Sequence, residues 1–332
     1  MLVPEALQRL GEYVDAVNSE LSGLYPSNGT TLLDKAVEDA LSRGGKRVRA
    51  TLALLWCEVY SGDYRPAVPL AVAYELAHAS ALVQDDIIDR SDRRRGQESI
   101  VAKYGLPNAI LASDLLLFNV PKMVARYGYL DGGRLARIFD MVGEACRATT
   151  WGEFLDLEMA RVARGSEEEY EEMIRLKTST LLSAPCAGGA MVGGASDEQV
   201  SLAAAFGEAL GMAYQVQDDT LDLVGSEASL GKPVLTDVRG GKLTVVLMHC
   251  MGRCSAADRE FIVGLMNRAG EYSPEEVSRL RSLLESQGSI EYGREVVLRR
   301  TREARAVLDR VPEGSARALL VELTDYLATR DS

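Results

Sequence analysis

Two aspartate triplets, Asp85-Asp86-x-x-Asp89 and Asp218-Asp219-x-x-Asp222, share one spacing, and each closes a long apolar run. On a helix the first and last carboxylates of such a triplet lie one above the other on the same face. A lone acidic triplet is more often a solvated helix face than a site, but the same pattern twice is hard to assign to accident. Acids near a helix C-terminus also oppose the macrodipole, so a compensating cation is expected. Hard divalent ions suit these donors. Mg²⁺ in particular takes one or two carboxylates and completes its shell with substrate phosphate oxygens. The triplets therefore read as a device for holding metal ions against a phosphorylated substrate.

Basic residues supply the complement. Gly44-Gly45-Lys46-Arg47-x-Arg49 sets backbone amides and cations at a helix start, where an anion is favoured by orphan N–H groups and the dipole. Arg94-Arg95-Gly96 follows the first triplet, and Lys177-Thr178, Gly231-Lys232-Pro233 and the run from Asp237 to Lys242 offer further phosphate-compatible groups. Each alone has a plain reading as a helix cap, an ion pair or a solvated lysine. His78 lies two helical turns before Asp85, on nearly the same face. A lone histidine is more often a satisfied core residue; this one is expected to share the cavity of the aspartates. The chain has 2 histidines, His78 and His249, which excludes a three-histidine metal site and leaves little material for a Ser-His-Asp triad.

The bulk composition narrows the partners. A net charge of −12 argues against general nucleic-acid binding and against adhesion to anionic membrane. The 5 cysteines, Cys57, Cys146, Cys186, Cys250 and Cys254, are scattered through apolar runs, which suits reduced, buried thiols in a cytoplasmic protein. Glu5 and Arg9 break any signal-peptide pattern at the start. The apolar stretches are interrupted before the roughly 20 residues of a membrane span.

Helical periodicity runs nearly throughout, over about 4–23, 31–42, 66–90, 107–127, 133–162, 167–194 and 198–223, with a further helix starting at Lys46–Arg49. Shorter helices are expected at about 242–252, 256–269, 274–287, 288–309 and 313–329. Pro121 and Pro185 should bend their helices, and 225–241 reads as one long loop, a candidate lid. With no strand of clean period-two alternation and no linker, the expectation is a single all-α domain, a helical bundle spanning 1–332.

Taken in order, these motifs resemble the trans-isoprenyl diphosphate synthase (polyprenyl synthetase) family, by motif over roughly residues 40–245 and by helical layout over nearly the whole chain. The resemblance implies a homodimeric isoprenoid synthase fold around a deep apolar cavity, with about three Mg²⁺ ions per active site. It implies a catalytic set of Asp85, Asp86, Asp89, Lys177, Asp218, Asp219 and Asp222, in which Asp85, Asp89 and Asp218 bind metal, with Asp219 and Asp222 in support. Lys46, Arg49, His78 and Arg95 would hold isopentenyl diphosphate. Arg94, Lys177, Thr178, Gln215, Lys232 and Lys242 would surround the allylic diphosphate. Ala50, Gln84, Ser113 and Glu153 stand where the family frequently has Pro, His, Gly and Gln; none of these removes a charge that the chemistry needs.

Tyr74, Ala77, Ser80 and Ala81 precede the first triplet on its helix and are the expected chain-length wall. The small side chains at 80 and 81 point to a C20 product, geranylgeranyl diphosphate, with C15 or C25 and longer products as alternatives. A class I terpene cyclase would need neither a second diphosphate site nor a second Asp-Asp-x-x-Asp. A non-catalytic synthase subunit typically loses one triplet, and a plain helical scaffold leaves the clustered charges unexplained.

Overall fold

Helices α3 (Val48–Ser61) and α4 (Val68–Ile88) carry apolar or small side chains on nearly every face, so they must lie inside the protein rather than on it. The computed structural model, which describes residues 4–24, 30–43, 45, 47–128, 130–162, 165–225, 234–268 and 270–329, buries both. Lys46, Lys232 and residues 226–233 of the expected loop lie outside the described residues. The chain divides into two compact units. Unit 1 comprises Met1–Cys146, Leu181–Gly207 and Val307–Leu323; unit 2 comprises Arg147–Thr180, Glu208–Ala306 and Thr324–Ser332.

Unit 1 begins with α1 (Pro4–Leu24) and α2 (Leu32–Ser42), which precede α3 and α4. A two-stranded hairpin of β1 (Arg93–Arg94) and β2 (Gln97–Glu98) follows, then α5 (Ile100–Tyr104) and α6 (Leu106–Val124). Trp56, Tyr13, Tyr74 and Tyr127 are fully buried here, and Trp56 meets Phe206 edge-on at 5.5 Å. The helical run Arg65–Ile88 is apolar and long enough to cross a membrane, but 67% of its most apolar window is buried inside the protein, as a core helix would be.

The chain continues through α7 (Gly132–Val162), α8 (Glu167–Ile174), α9 (Thr180–Val192) and α10 (Asp197–Val224). Next come α11 (Thr236–Arg239), α12 (Val245–Arg253), α13 (Ala256–Met266) and α14 (Pro274–Ser286), and last α15 (Ser289–Leu308) and α16 (Ser315–Thr329). Glycines in and after α9 let it lie against α3 in unit 1. A Cβ at Gly189 would stand 2.1 Å from the Ala53 carbonyl oxygen, and one at Gly193 would stand 2.6 Å from that of Cys57. The core of unit 2 gathers Tyr170, Met173, Val216, Leu247, Leu280 and Leu284.

The expected helices are present, and the fold is all-α. Three local features depart from the periodicity reading. The stretch after the first triplet, which falls in none of the expected helices, forms a short hairpin, and α11 forms within the expected long loop. The expected 167–194 helix is interrupted by a π-helical turn at Arg175–Ser179, where Thr180 N–H reaches the Arg175 carbonyl. Glycines on two neighbours make room for that turn. A Cβ at Gly152 of α7 would meet Lys177 N at 2.2 Å, and one at Gly211 of α10 would meet Ser179 Cα at 2.5 Å.

Candidate active site

In unit 1 the first triplet ends α4. Asp89 is its C-cap and exposed, Asp85 is half-buried, and Asp86 turns inward with 2% of its surface exposed. Arg94 in β1 grips Asp86 Oδ1 with Nε at 2.8 Å and Nη2 at 2.7 Å. Burial pushes the Asp86 carboxyl up against the pull of that guanidinium. The Arg94 partner is set by the hairpin, whose two-residue loop, Arg95-Gly96, has φ of 52° and 76°. Both angles are positive, the signature of the tight turn that matches strand twist. Arg95 thereby lies over the Gly45 backbone, where a Cβ would sit 2.9 Å from its Nη1.

His78 lies on α4, and its Nε2 is 3.2 Å from Arg49 Nη1. A guanidinium can only donate, so Nε2 accepts and the imidazole proton sits on Nδ1. Burial, and then the nearby Arg49, Arg95, Arg94 and Arg47, hold the His78 pKa well below its usual value, so the ring is neutral at pH 7. A cleft beside this group is lined by Arg94, Arg95, Asp86 and Arg43. Nε and Nη1 of Arg43 are buried and have no hydrogen-bond partner among the described residues. Arg43 carried no signal in the sequence, because it precedes the glycine pair rather than following it.

The expected wall residues are all on α4. Tyr74 is fully buried, Ala77 and Ser80 are buried, and Ala81 is half-buried. The Ser80 hydroxyl meets Ser113 Oγ of α6 at 2.9 Å.

In unit 2 the second triplet lies in the last turns of α10 and divides in the same way. Asp218 is half-buried, whereas Asp219 and Asp222 are buried at 5% and 0% exposure. Asp219 accepts from the Tyr170 hydroxyl at 2.6 Å and from Gln215 Nε2 at 2.7 Å. Thr178 Oγ1 in turn donates to Gln215 Oε1 at 2.7 Å. Burial, with Asp237 beside it, pushes the Asp219 carboxyl upward, and burial holds the Tyr170 hydroxyl protonated.

Asp222 serves the chain that follows. Its carboxylate accepts from Thr236 N and Oγ1 at 3.2 and 2.7 Å and from Asp237 N at 3.0 Å. It thus satisfies the start of α11, whose own N-cap, Leu235, has φ 58° and no capping side chain.

Lys177 sits in the π turn with Nζ 2.6 Å from both Glu153 Oε2 and Asp156 Oδ2. Lys242 Nζ lies 3.8 Å from Asp156 and 3.7 Å from Asp237. Unit 2 therefore brings together Lys177, Thr178, Gln215, Asp219 and Lys242 as one polar network. Tyr170 and Asp156 are members that motif reasoning missed, since no spacing marks them, and Asp237 opens the Asp237–Lys242 run.

The residues present fit Mg²⁺. Asp85, Asp89 and Asp218, the more exposed member or members of each triplet, are hard oxygen donors. Among the described residues no three carboxylate, imidazole or thiol groups converge on one point.

The fold and this donor set define an all-α enzyme of diphosphate chemistry, and comparison with known proteins gives the family. The family model for polyprenyl synthetase matches residues 30–284. The short chain isoprenyl diphosphate synthase of Methanothermobacter thermautotrophicus is 34% identical over 332 residues, covering 100% of this chain and 99% of its own. The geranylfarnesyl diphosphate synthase of Natronomonas pharaonis is 32% identical, covering 97% of this chain and 96% of its own. A crystal structure of the geranylgeranyl pyrophosphate synthetase from Pyrococcus horikoshii matches with a TM-score of 0.92 at 32% identity, over 98% of both chains. The chain belongs to the polyprenyl synthetase family, the trans-isoprenyl diphosphate synthases, prenyltransferases that lengthen a prenyl chain with isopentenyl diphosphate.

Proposed function

We propose that this enzyme is an Mg²⁺-dependent synthase that joins isopentenyl diphosphate head-to-tail to an allylic diphosphate and makes geranylgeranyl diphosphate. The reading is carried by the division of the six aspartates. Asp86, Asp219 and Asp222 are spent on protein partners, and Asp85, Asp89 and Asp218 remain the more exposed. We assign those three to the metal, and Arg49, His78, Arg95 and Lys46 to isopentenyl diphosphate. Arg94, Lys177, Thr178, Gln215, Lys232 and Lys242 are assigned to the allylic diphosphate.

In the reaction the allylic C–O bond breaks, the isopentenyl double bond attacks the resulting carbocation, and a proton leaves the new chain. Bound Mg²⁺ would neutralise charge on the departing diphosphate. The cationic side chains add preorganised stabilisation to that same leaving group, which gains charge only as the bond breaks. Neutral His78 accepts from Arg49 and so aims its guanidinium at the second diphosphate. Asp86 orients Arg94, and Asp219 orients Gln215. The departing diphosphate is the base for the final proton.

The C20 product is supported by small side chains at Ala77, Ser80 and Ala81 with bulky Tyr74 one turn further back. The relatives' named products are geranylgeranyl, which is this length, and geranylfarnesyl, which is one isoprene unit longer. Exposed Leu111, Leu115 and Phe118, recurring at helical spacing on α6, support a homodimer. Free thiols at all five cysteines suit a reducing cytoplasm.

The test is direct. The purified enzyme is incubated with Mg²⁺, isopentenyl diphosphate and each of the C5, C10 and C15 allylic diphosphates, and products are sized by mass spectrometry. Each primer should yield a C20 ceiling, and Asp85→Ala with Asp218→Ala should abolish turnover. Products of another length would refute the C20 assignment, and full activity in the double variant would refute the metal assignment.

A further inference from the structure

Arg47 follows the glycine pair, and its guanidinium turns into the protein. Its backbone is left-handed, φ 46°, a conformation that side-chain-bearing residues rarely adopt. Its guanidinium is 10% exposed and held on three sides. Nη1 donates to Glu75 Oε2 at 2.9 Å, Nη2 to the Leu41 carbonyl at 2.9 Å, and Nε to Asn18 Oδ1 at 3.3 Å.

Glu75 in turn does two things. It balances Arg47, and its other oxygen, Oε1, accepts the Ala50 N–H at 3.3 Å. Ala50 is the third residue of α3, a helix whose N-cap makes no side-chain cap bond of its own. The orphan amide there is therefore capped from α4.

Glu75 and His78 are three residues apart on α4, so they share a face. One turn of α4 thus takes hold of both ends of the first turn of α3. Glu75 holds Arg47 and Ala50, and His78 meets Arg49. Rotating or sliding α3 would break all of these together.

We infer that the Arg47–Glu75 pair is a positioning latch, which fixes the left-handed turn before α3 so that Arg49 and His78 present one diphosphate-binding surface for isopentenyl diphosphate. This rests on the assignment of Arg49 and His78 to that substrate. Neither Arg47 nor Glu75 touches substrate; both act through Arg49.

The full-length enzyme with Mg²⁺ supplies the test, in steady-state kinetics with each substrate varied and a thermal melt of every variant. Glu75→Gln keeps the size but removes the charge and turns one of the two accepting oxygens into an NH2 donor, so either the Arg47 or the Ala50 bond is lost. It is expected to raise KM for isopentenyl diphosphate roughly tenfold, while KM for the allylic substrate stays within about twofold. Arg47→Lys keeps the charge but cannot span three acceptors, and should act in the same direction. Equal rises in both KM values, or a lower melting temperature with both KM values unchanged, would make the pair structural and overturn the latch. Arg49→Lys separates the two layers. If it leaves KM for isopentenyl diphosphate unchanged, the substrate assignment fails and the latch with it. If it raises that KM and neither latch variant does, the latch alone fails.

Discussion

Asp222 is the residue at which a motif-level and a structural reading give opposite forecasts. If the whole second triplet grips metal, Asp222→Ala should weaken Mg²⁺ dependence and leave the fold alone. In the structure its carboxylate is fully buried and receives Thr236 N, Thr236 Oγ1 and Asp237 N. Truncation would orphan all three donors. The hydroxyl can rotate toward another acceptor, so the two amides dominate, at about 1–3 kcal/mol each. A loss of about 3 kcal/mol follows, which in a chain of this size lowers Tm by about 4 °C. The start of α11 should fray, with faster hydrogen exchange at Thr236 and Asp237, and kcat should fall because Lys242, just beyond α11, loses its setting. Asp218→Ala is the control, with a raised Mg²⁺ requirement and unchanged hydrogen exchange at Thr236 and Asp237. The reasoning is refuted if Asp222→Ala melts with the wild type and shows unchanged exchange at those amides. A shift in Mg²⁺ midpoint as large as that of Asp218→Ala would refute it equally.

Glu153→Gln should lower KM for the allylic diphosphate by about fivefold, because removing one of the two carboxylates on Lys177 is worth about 1 kcal/mol of attraction for an anion; an unchanged or higher KM counts against that placement. Ser80→Phe should shorten the product, read by mass spectrometry, and cost about 1–3 kcal/mol by crowding Ser113. Unchanged product length would remove Ser80 from the wall. His78 is held neutral in the folded state while the unfolded chain protonates it near pH 6.5, so its contribution is present above that pH and lost as pH falls. His78→Gln should therefore flatten part of the drop in Tm between pH 7 and 5, and an identical pH profile would contradict the depressed pKa. Phe118→Asp should convert a dimer to monomer in sedimentation velocity, and a wild-type monomer would dispose of the apolar face of α6 as an interface.

Much of this enzyme was legible before any coordinates. Helix positions followed from the spacing of apolar residues, because an α-helix is built from contacts three and four residues apart. The aspartate triplets and the Gly-Gly-Lys-Arg run pointed to divalent metal and a phosphorylated substrate through residue type and local spacing, and the family resemblance added the diphosphates. The same local logic could not find Arg43, Tyr170 or Glu75, which belong to no motif.

What only tertiary structure decided was the division of labour among like residues. Six aspartates share one pattern, yet three are committed to Arg94, Tyr170 and the start of α11. Two cations of the glycine-rich run also part company, Arg47 turning to Glu75 while Arg49 meets His78. Gly152 of α7 and Gly211 of α10 belong to no motif, and packing alone explains them, since Lys177 and Ser179 of the π turn press against them. The physical reason is common to all of these. A carboxylate or guanidinium is set to its task by what buries and hydrogen-bonds it, and those partners lie 28 residues away for Glu75 and 49 for Tyr170. Local spacing carries no information at that range; packing does.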